Sequence, residues 1–265
     1  MASNVTEISV VDLYSNVSTN VQEALADIIG SKTDVSAAFV DSFSSTVFTN
    51  LKVSNPDILV IDQIGSDASK TAKIDLSRLG TTLKGEMSAI IFDSDQAVSL
   101  KGLSGFAGVI SLSDANNTVS GGNNSQTVTI VTGAGNDSVT TGGGSDTISV
   151  GGGRDTINTG SGADTISFDG YVTGGKINTG SGNDVIDLSH NVGSDTVITI
   201  SGGSGTDTLD LSELSIASVS KVKSTVTITL TDGGQILASN IEKFVYTDTN
   251  DVVQIVGVKL FDAEF

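Results

Sequence analysis

Five nine-residue segments in the middle of this chain place an aspartate at the same position each time. They read TGAGNDSVT from Thr132, TGGGSDTIS from Thr141, VGGGRDTIN from Val150, TGSGADTIS from Thr159 and TGSGNDVID from Thr179. The carboxylates are those of Asp137, Asp146, Asp155, Asp164 and Asp184. Two glycines precede each one: Gly133 and Gly135, Gly142 and Gly144, Gly151 and Gly153, Gly160 and Gly162, Gly180 and Gly182. An ionised carboxylate only accepts hydrogen bonds, and hard divalent cations take such oxygens as ligands. Calcium collects about six to eight oxygens at about 2.3–2.6 Å and tolerates irregular geometry. Two aspartates cannot supply that many, so backbone carbonyls must complete the shell. Glycine, often at φ > 0, lets a turn direct its carbonyls inward. Two further aspartates follow at wider spacing: Asp195, with only Gly193 before it, and Asp207, with Gly203 and Gly205. The chemistry this points to is the binding of several calcium ions.

Other residues that could do chemistry fall short of a site. His190 is the only histidine, and a zincin needs HExxH. No G-x-S-x-G elbow supports a Ser-His-Asp triad. Gly170 to Lys176 imitates a phosphate-binding loop, but Ile177 stands where Ser or Thr is required. Asp187 and Asp210 could pair for acid–base work, although solvent-facing strand residues need no such role. Cysteine is absent, which excludes disulfides and thiolate zinc sites. No catalytic residue is assigned, and the chain reads as a non-enzyme.

The spacing also dictates what must position the aspartates. Nine residues suit a glycine-rich turn of about six and a strand of about three. Two units then make one coil with a strand on each side, so every second copy stacks. Asp137 and Asp155 fall on one edge, and Asp146, Asp164 and Asp184 on the other. Neighbouring coils lie about 4.8 Å apart. Two bare carboxylates at that distance repel by roughly 3 kcal/mol at an effective dielectric of about 20. A cation between successive turns reverses the sign. Val139, Ile148, Ile157, Ile166, Ile177 and Ile186 point inward as the core, and the Thr and Ser residues beside each aspartate face outward.

Three zones result. Residues 1–95 read as a mainly β region with one short helix from Asn20 to Ile29. Val21, Ala24, Leu25 and Ile28 share a face of that helix, and Gly30 caps it. Strands are expected at Glu7 to Tyr14, Val47 to Val53, Ile58 to Ile61, Ala72 to Leu76 and Ala89 to Phe92, with Pro56 in a turn. Residues 96–211 read as the solenoid. Its early beats (AVSL, VISL, NTVS, TVTIV) are degenerate coils, and GGNNSQTVT from Gly121 has Gln126 where the repeat wants aspartate. Residues 212–265 read as a C-terminal β cap. There VTITL, QILA, KFVY and VVQIVGVKL look like ordinary antiparallel strands and hairpins, and Asp232-Gly233 is a turn. An uncapped solenoid would expose an open sheet edge. The fold class is therefore all-β, a calcium-binding parallel β-roll (β-solenoid) with a mixed N-terminal region and a C-terminal β cap.

Charge and hydropathy narrow the partners. The chain has 265 residues, 31 acidic against 13 basic, for a formal net charge of −18. That balance suits cations rather than nucleic-acid backbones or anionic membrane surfaces. Between Gly102 and Ser220 the basic residues are Arg154 and Lys176, against twelve acidic ones. No apolar run is long enough for a transmembrane segment. The opening MASNVTEISVVD lacks the basic start and apolar stretch of a Sec-type signal.

The tandem units over Gly121–Leu211 resemble the RTX family, whose repeat is G-G-x-G-x-D-x-U-x with U a large apolar residue. The resemblance implies a parallel β-roll with calcium in its turns, held by the aspartate carboxylates and the carbonyls of the glycine positions. It also implies type I secretion of an unfolded chain that folds on meeting extracellular calcium. The terminal Leu260-Phe261-Asp262-Ala263-Glu264-Phe265 resembles the uncleaved signal of such substrates. The chain departs from the pattern in two ways. The first glycine is Thr or Val in most copies, and Gly175 sits at an aspartate position after an eleven-residue interval. On this resemblance the expected function is that of a secreted, extracellular structural protein of the cell surface or biofilm matrix. It would self-assemble with calcium as a homo-oligomer or polymer in a filament, matrix or surface layer, with extracellular polysaccharide as a candidate partner. Two alternatives stay open: a calcium-dependent hydrolase or toxin with an unrecognised N-terminal domain, and a calcium-dependent adhesin for a glycan or ice.

Overall fold

Thr, Ser and Asn alternating with Val, Ile and Leu disfavours helix and suits a half-buried strand. In a computed structural model, residues 5–8, 37–40, 58–61, 71–76, 89–92, 97–188, 192–194, 196–247 and 253–257 are described. Every regular element among them is a β-strand. The expected helix at 20–29, the strand at 47–53 and Pro56 lie outside the described residues, as do His190, Asp195 and residues 260–265.

The described strands form two sheets. The first runs in the spatial order Val5–Ile8, Ala37–Val40, Ile58–Ile61, Ala89–Phe92, Val109–Ser111, Thr129–Val131, Thr147–Val150, Thr165–Phe168, Val185–Asp187, Thr208–Asp210, Lys243–Thr247 and Val253–Gly257. The second runs Ala72–Asp75, Val98–Lys101, Thr118–Asn124, Ser138–Gly143, Gly153–Ser161, Val172–Gly182, Val197–Gly205, Gln235–Ser239, Thr225–Leu230 and Ile216–Val222. From Val98 to Asp210 the chain passes alternately from one sheet to the other, and like strands stack in parallel. This is the β-roll that the nine-residue period predicts.

The core is two facing columns. Ile90, Ile110, Ile130, Ile148, Ile166, Ile186, Leu209 and Phe244 stack in the first sheet, all essentially buried. Val119, Val139, Ile157, Ile177, Ile200 and Ala238 stack in the second. Several strands bury a second apolar residue beside the column, as in Ile148 with Val150, Ile166 with Phe168 and Ile198 with Ile200.

The stacking reaches further than the aspartate repeat. Ala37–Val40, Ile58–Ile61 and Ala89–Phe92 continue the first sheet in parallel, and Ala72–Asp75 continues the second. At the other end, Gln235–Ser239 and Lys243–Thr247 also join in parallel. The expected antiparallel pairs form as well: QILA pairs antiparallel with VTITL, and KFVY with Val253–Gly257, each on the side away from the roll. The inward residues Ile236, Ala238 and Phe244 prolong the buried columns, so parallel stacking removes more apolar surface from water. Antiparallel pairing begins only with Thr225–Leu230, Ile216–Val222 and Val253–Gly257. The turn at Asp232-Gly233 appears as expected, with Gly233 at φ 100°.

Candidate metal centre

Two edges join the sheets. Apolar residues across the second edge keep a nine-residue spacing: Val139 to Ile148, Ile157 to Ile166, Ile177 to Ile186 and Ile200 to Leu209. From Val139 to Leu209 extra residues enter only the first edge, where Ile166 to Ile177 spans eleven and Ile186 to Ile200 fourteen. The turns ending at Asp146, Asp164, Asp184 and Asp207 therefore stay in step on the second edge, while the first keeps Asp137 and Asp155.

Each edge carries a ladder of carboxylates. On the second, the backbone N–H of Asp146 donates to Asp164 Oδ1 (2.8 Å), that of Asp164 to Asp184 Oδ1 (2.9 Å) and that of Asp184 to Asp207 Oδ1 (3.0 Å). The Asp207 N–H donates to Glu242 Oε2 at 2.8 Å, which ends the column. On the first, Asn117 N–H donates to Asp137 Oδ1 (2.7 Å) and Asp137 N–H to Asp155 Oδ1 (2.8 Å). The two edges therefore divide the aspartates as the spacing predicts. Above Asp155 in register lies Gly175, so the first column stops there.

One oxygen of each carboxylate is thereby used, and the other is left over. The Oδ2 atoms of Asp137, Asp146, Asp155, Asp164, Asp184 and Asp207 are buried and have no hydrogen-bond partner. These side chains are at most 2% exposed. A buried, uncompensated charge is among the most costly features a fold can carry. A cation removes that cost, and the fit is to oxygen-preferring calcium because every protein donor available is an oxygen. Among the described residues no three acidic, histidine or cysteine side chains converge, so the rest of a shell must come from main-chain carbonyls and water.

Without a cation, burial favours the protonated carboxyl at Asp137, Asp146, Asp155, Asp164 and Asp207. Burial is the main cause of the upward shift at Asp137, to about 6, and at Asp155, to about 7. The neighbouring Asp137 charge adds to the second shift. Asp146, Asp164 and Asp207 are also raised, again chiefly by burial. Between about pH 4 and 7 the folded chain then binds more protons than the unfolded one, so metal-free stability falls as pH rises through that window. Calcium binding needs the ionised form and releases protons. The metal-free protein is expected to melt higher at pH 5 than at pH 8, and the calcium-loaded protein the reverse. Circular-dichroism melts in chelator and in calcium at both pH values check this.

The glycines stack with the aspartates. Gly142, Gly160, Gly180 and Gly203 form one column of the second edge, and Gly144, Gly162, Gly182 and Gly205 another. A Cβ on Gly160, where φ is +101°, would sit 2.1 Å from the carbonyl oxygen of Gly142. The carbonyls of one turn thus lie against the Cα atoms of the next, which only glycine allows. On the first edge Gly151 and Gly153 stack in the same way on Gly133 and Gly135. The threonines that replace the first glycine close the same turns. Thr141 Oγ1 donates to the Thr159 carbonyl, Thr159 Oγ1 to that of Thr179 and Thr179 Oγ1 to that of Gly202. All three are fully buried, so each hydroxyl satisfies a carbonyl that water cannot reach.

Three positions differ from the reading by spacing. Val128, not Gln126, underlies Asp146: its N–H donates to Asp146 Oδ1 at 2.9 Å. The turn from Gly121 is two residues longer than the repeat, and strand stacking overrides the count. Asn117 and Glu242 occupy aspartate slots although neither belongs to a glycine-rich unit. Ala115-Asn116-Asn117-Thr118-Val119 matches Gly135-Asn136-Asp137-Ser138-Val139 in type, a signal that could have found the first. Glu242 follows a short turn that contains no glycine, and nothing local marks it.

A family model described as the RTX calcium-binding nonapeptide repeat (4 copies) matches residues 131–166 and 199–213. No curated protein and no solved structure matches the chain. The matched segments contain Asp137, Asp146, Asp155, Asp164 and Asp207, five of the six carboxylates with an unpartnered oxygen. With its parallel coils, its glycine columns and its matched segments, the chain carries RTX calcium-binding nonapeptide repeats.

Proposed function

We propose that this protein is a secreted structural protein whose roll orders on meeting calcium outside the cell and then self-assembles into a filament, biofilm matrix or surface layer. The proposed ligands are the carboxylates of Asp137, Asp146, Asp155, Asp164, Asp184 and Asp207, with carbonyls of the paired glycines before each. The observation that carries this reading is the two stacked columns of buried, unpartnered Oδ2 atoms. They make the coils dependent on a divalent ion that is abundant outside cells and scarce within.

Support for assembly comes from the sheet ends. Among the described residues, Val5–Ile8 and Val253–Gly257 in one sheet, and Ala72–Asp75 and Ile216–Val222 in the other, pair on one side only. An unpaired strand edge is a template for another chain. Ile216–Val222 ends at Val222, which is 70% exposed. Purified protein taken from chelator into millimolar calcium is expected to gain size by light scattering and to show ordered particles in negative stain. A monomer that stays monomeric under those conditions overturns the assembly reading.

A further inference from the structure

Asn117 occupies an aspartate slot but behaves differently from every aspartate in the columns. Its Oδ1 accepts the Val98 N–H at 2.9 Å, as an aspartate Oδ1 accepts the N–H of the coil below. Its other terminal atom is not left over. Nδ2 donates to the carbonyls of Ser113 and Ala115, both at 2.7 Å, and the side chain is 1% exposed. Those two carbonyls stand four and two residues before Asn117, as Gly133 and Gly135 stand before Asp137. Their stacking confirms the equivalence. A Cβ on Gly133 would lie 2.4 Å from the Ser113 oxygen, and one on Gly135 2.2 Å from that of Ala115. Where an aspartate turn offers an unpartnered oxygen, this turn supplies an N–H pair aimed at the carbonyls of the glycine positions.

The opposite turn of the same coil is closed without any acidic side chain. Residues 102–108 join Val98–Lys101 to Val109–Ser111 on the second edge and contain no acidic residue. Leu103 and Phe106 fill that turn, both fully buried, and Phe106 N–H donates to the Leu103 carbonyl at 2.7 Å. One coil is thus sealed by an amide on one edge and by apolar side chains on the other.

We propose that Asn117 is a built-in substitute for a cation, so that the coil from Val98 to Asn117 stacks without calcium and forms the metal-independent base on which the aspartate-bearing coils order when calcium arrives. The proposal rests on the reading that the aspartate turns hold calcium, and it adds where that dependence begins. A carboxamide donates two hydrogens into the space a cation would fill, at no cost in buried charge. Replacing it with a carboxylate removes both donors and sets a third oxygen against two carbonyls.

Hydrogen exchange on full-length protein, with and without calcium, tests this. In chelator the wild-type amides of 98–117 are expected to exchange at least about tenfold more slowly than those of 138–187. Asn117→Asp is expected to lose that protection in chelator and regain it in calcium. The proposal is overturned if the two wild-type segments exchange alike in chelator. It is also overturned if Asn117→Asp stays protected there, or is unprotected in both conditions. Equilibrium dialysis of the wild type against calcium separates the two readings: no uptake sinks the calcium assignment itself, whatever the exchange pattern.

Discussion

Removing calcium with EDTA is expected to unfold the coils between Thr132 and Leu211 at neutral pH. Far-ultraviolet circular dichroism should lose strand signal, and the calcium-loaded melting transition should disappear or fall steeply. One ion at a hundredfold excess over its Kd contributes about 2.7 kcal/mol to the folded state. Two such ions contribute roughly 5 kcal/mol, comparable with the lower end of whole-domain stabilities of about 5–15 kcal/mol. Withdrawal also leaves six buried Oδ2 atoms without a partner. At neutral pH the ionised forms of Asp137 and Asp155 work against folding, since burial raises their pKa to about 6 and about 7. The loss and the residual repulsion therefore act in the same direction. Magnesium is expected to restore little, because it demands near-ideal octahedral geometry and keeps its waters. Unchanged strand content and melting temperature in chelator would show that another interaction holds the coils together.

The second large effect is expected at Gly182. Its φ is +144°, and a Cβ there would lie 1.5 Å from the Gly162 carbonyl oxygen of the coil below. Its own carbonyl oxygen would lie equally close to a Cβ on Gly205 of the coil above. Gly182→Ala must push the coils apart or twist the turn, and both spoil the cradle around Asp184. Backbone strain and overpacking together make a loss of at least about 3 kcal/mol the expected result in calcium. Gly122 is the control. Its φ is +66°, and nothing lies within 4 Å of a Cβ built there. Asparagine tolerates that conformation, so Gly122→Asn is expected to cost less than about 1 kcal/mol. Denaturant titrations of both variants in calcium decide the matter; equal costs would show that the glycine columns do not set the spacing of the coils.

Much of the site was legible because it repeats. A tandem unit can be read by counting, and counting assigned Asp137 and Asp155 to one edge and Asp146, Asp164 and Asp184 to the other. The inward Val and Ile positions followed from the same count. Asp207 is the instructive case. It follows Asp184 by twenty-three residues rather than eighteen, yet it completes the same column, because the additional residues enter the first edge and leave the second untouched. Gln126 failed for the converse reason: a turn longer by two moved Val128 into the slot.

The amino-acid sequence by itself determined the period, the calcium-binding character of the repeat and the aspartate and glycine positions that stack, since each is written into every copy and needs no distant partner to be recognised. Only the tertiary structure decided how far the stack extends, which turn absorbs each insertion, and that Asn117 and Glu242 stand where aspartates would. Those choices belong to the register between coils, which is set by burying one apolar column against the next. The residues that enforce it lie some twenty positions apart, too far for local spacing to record.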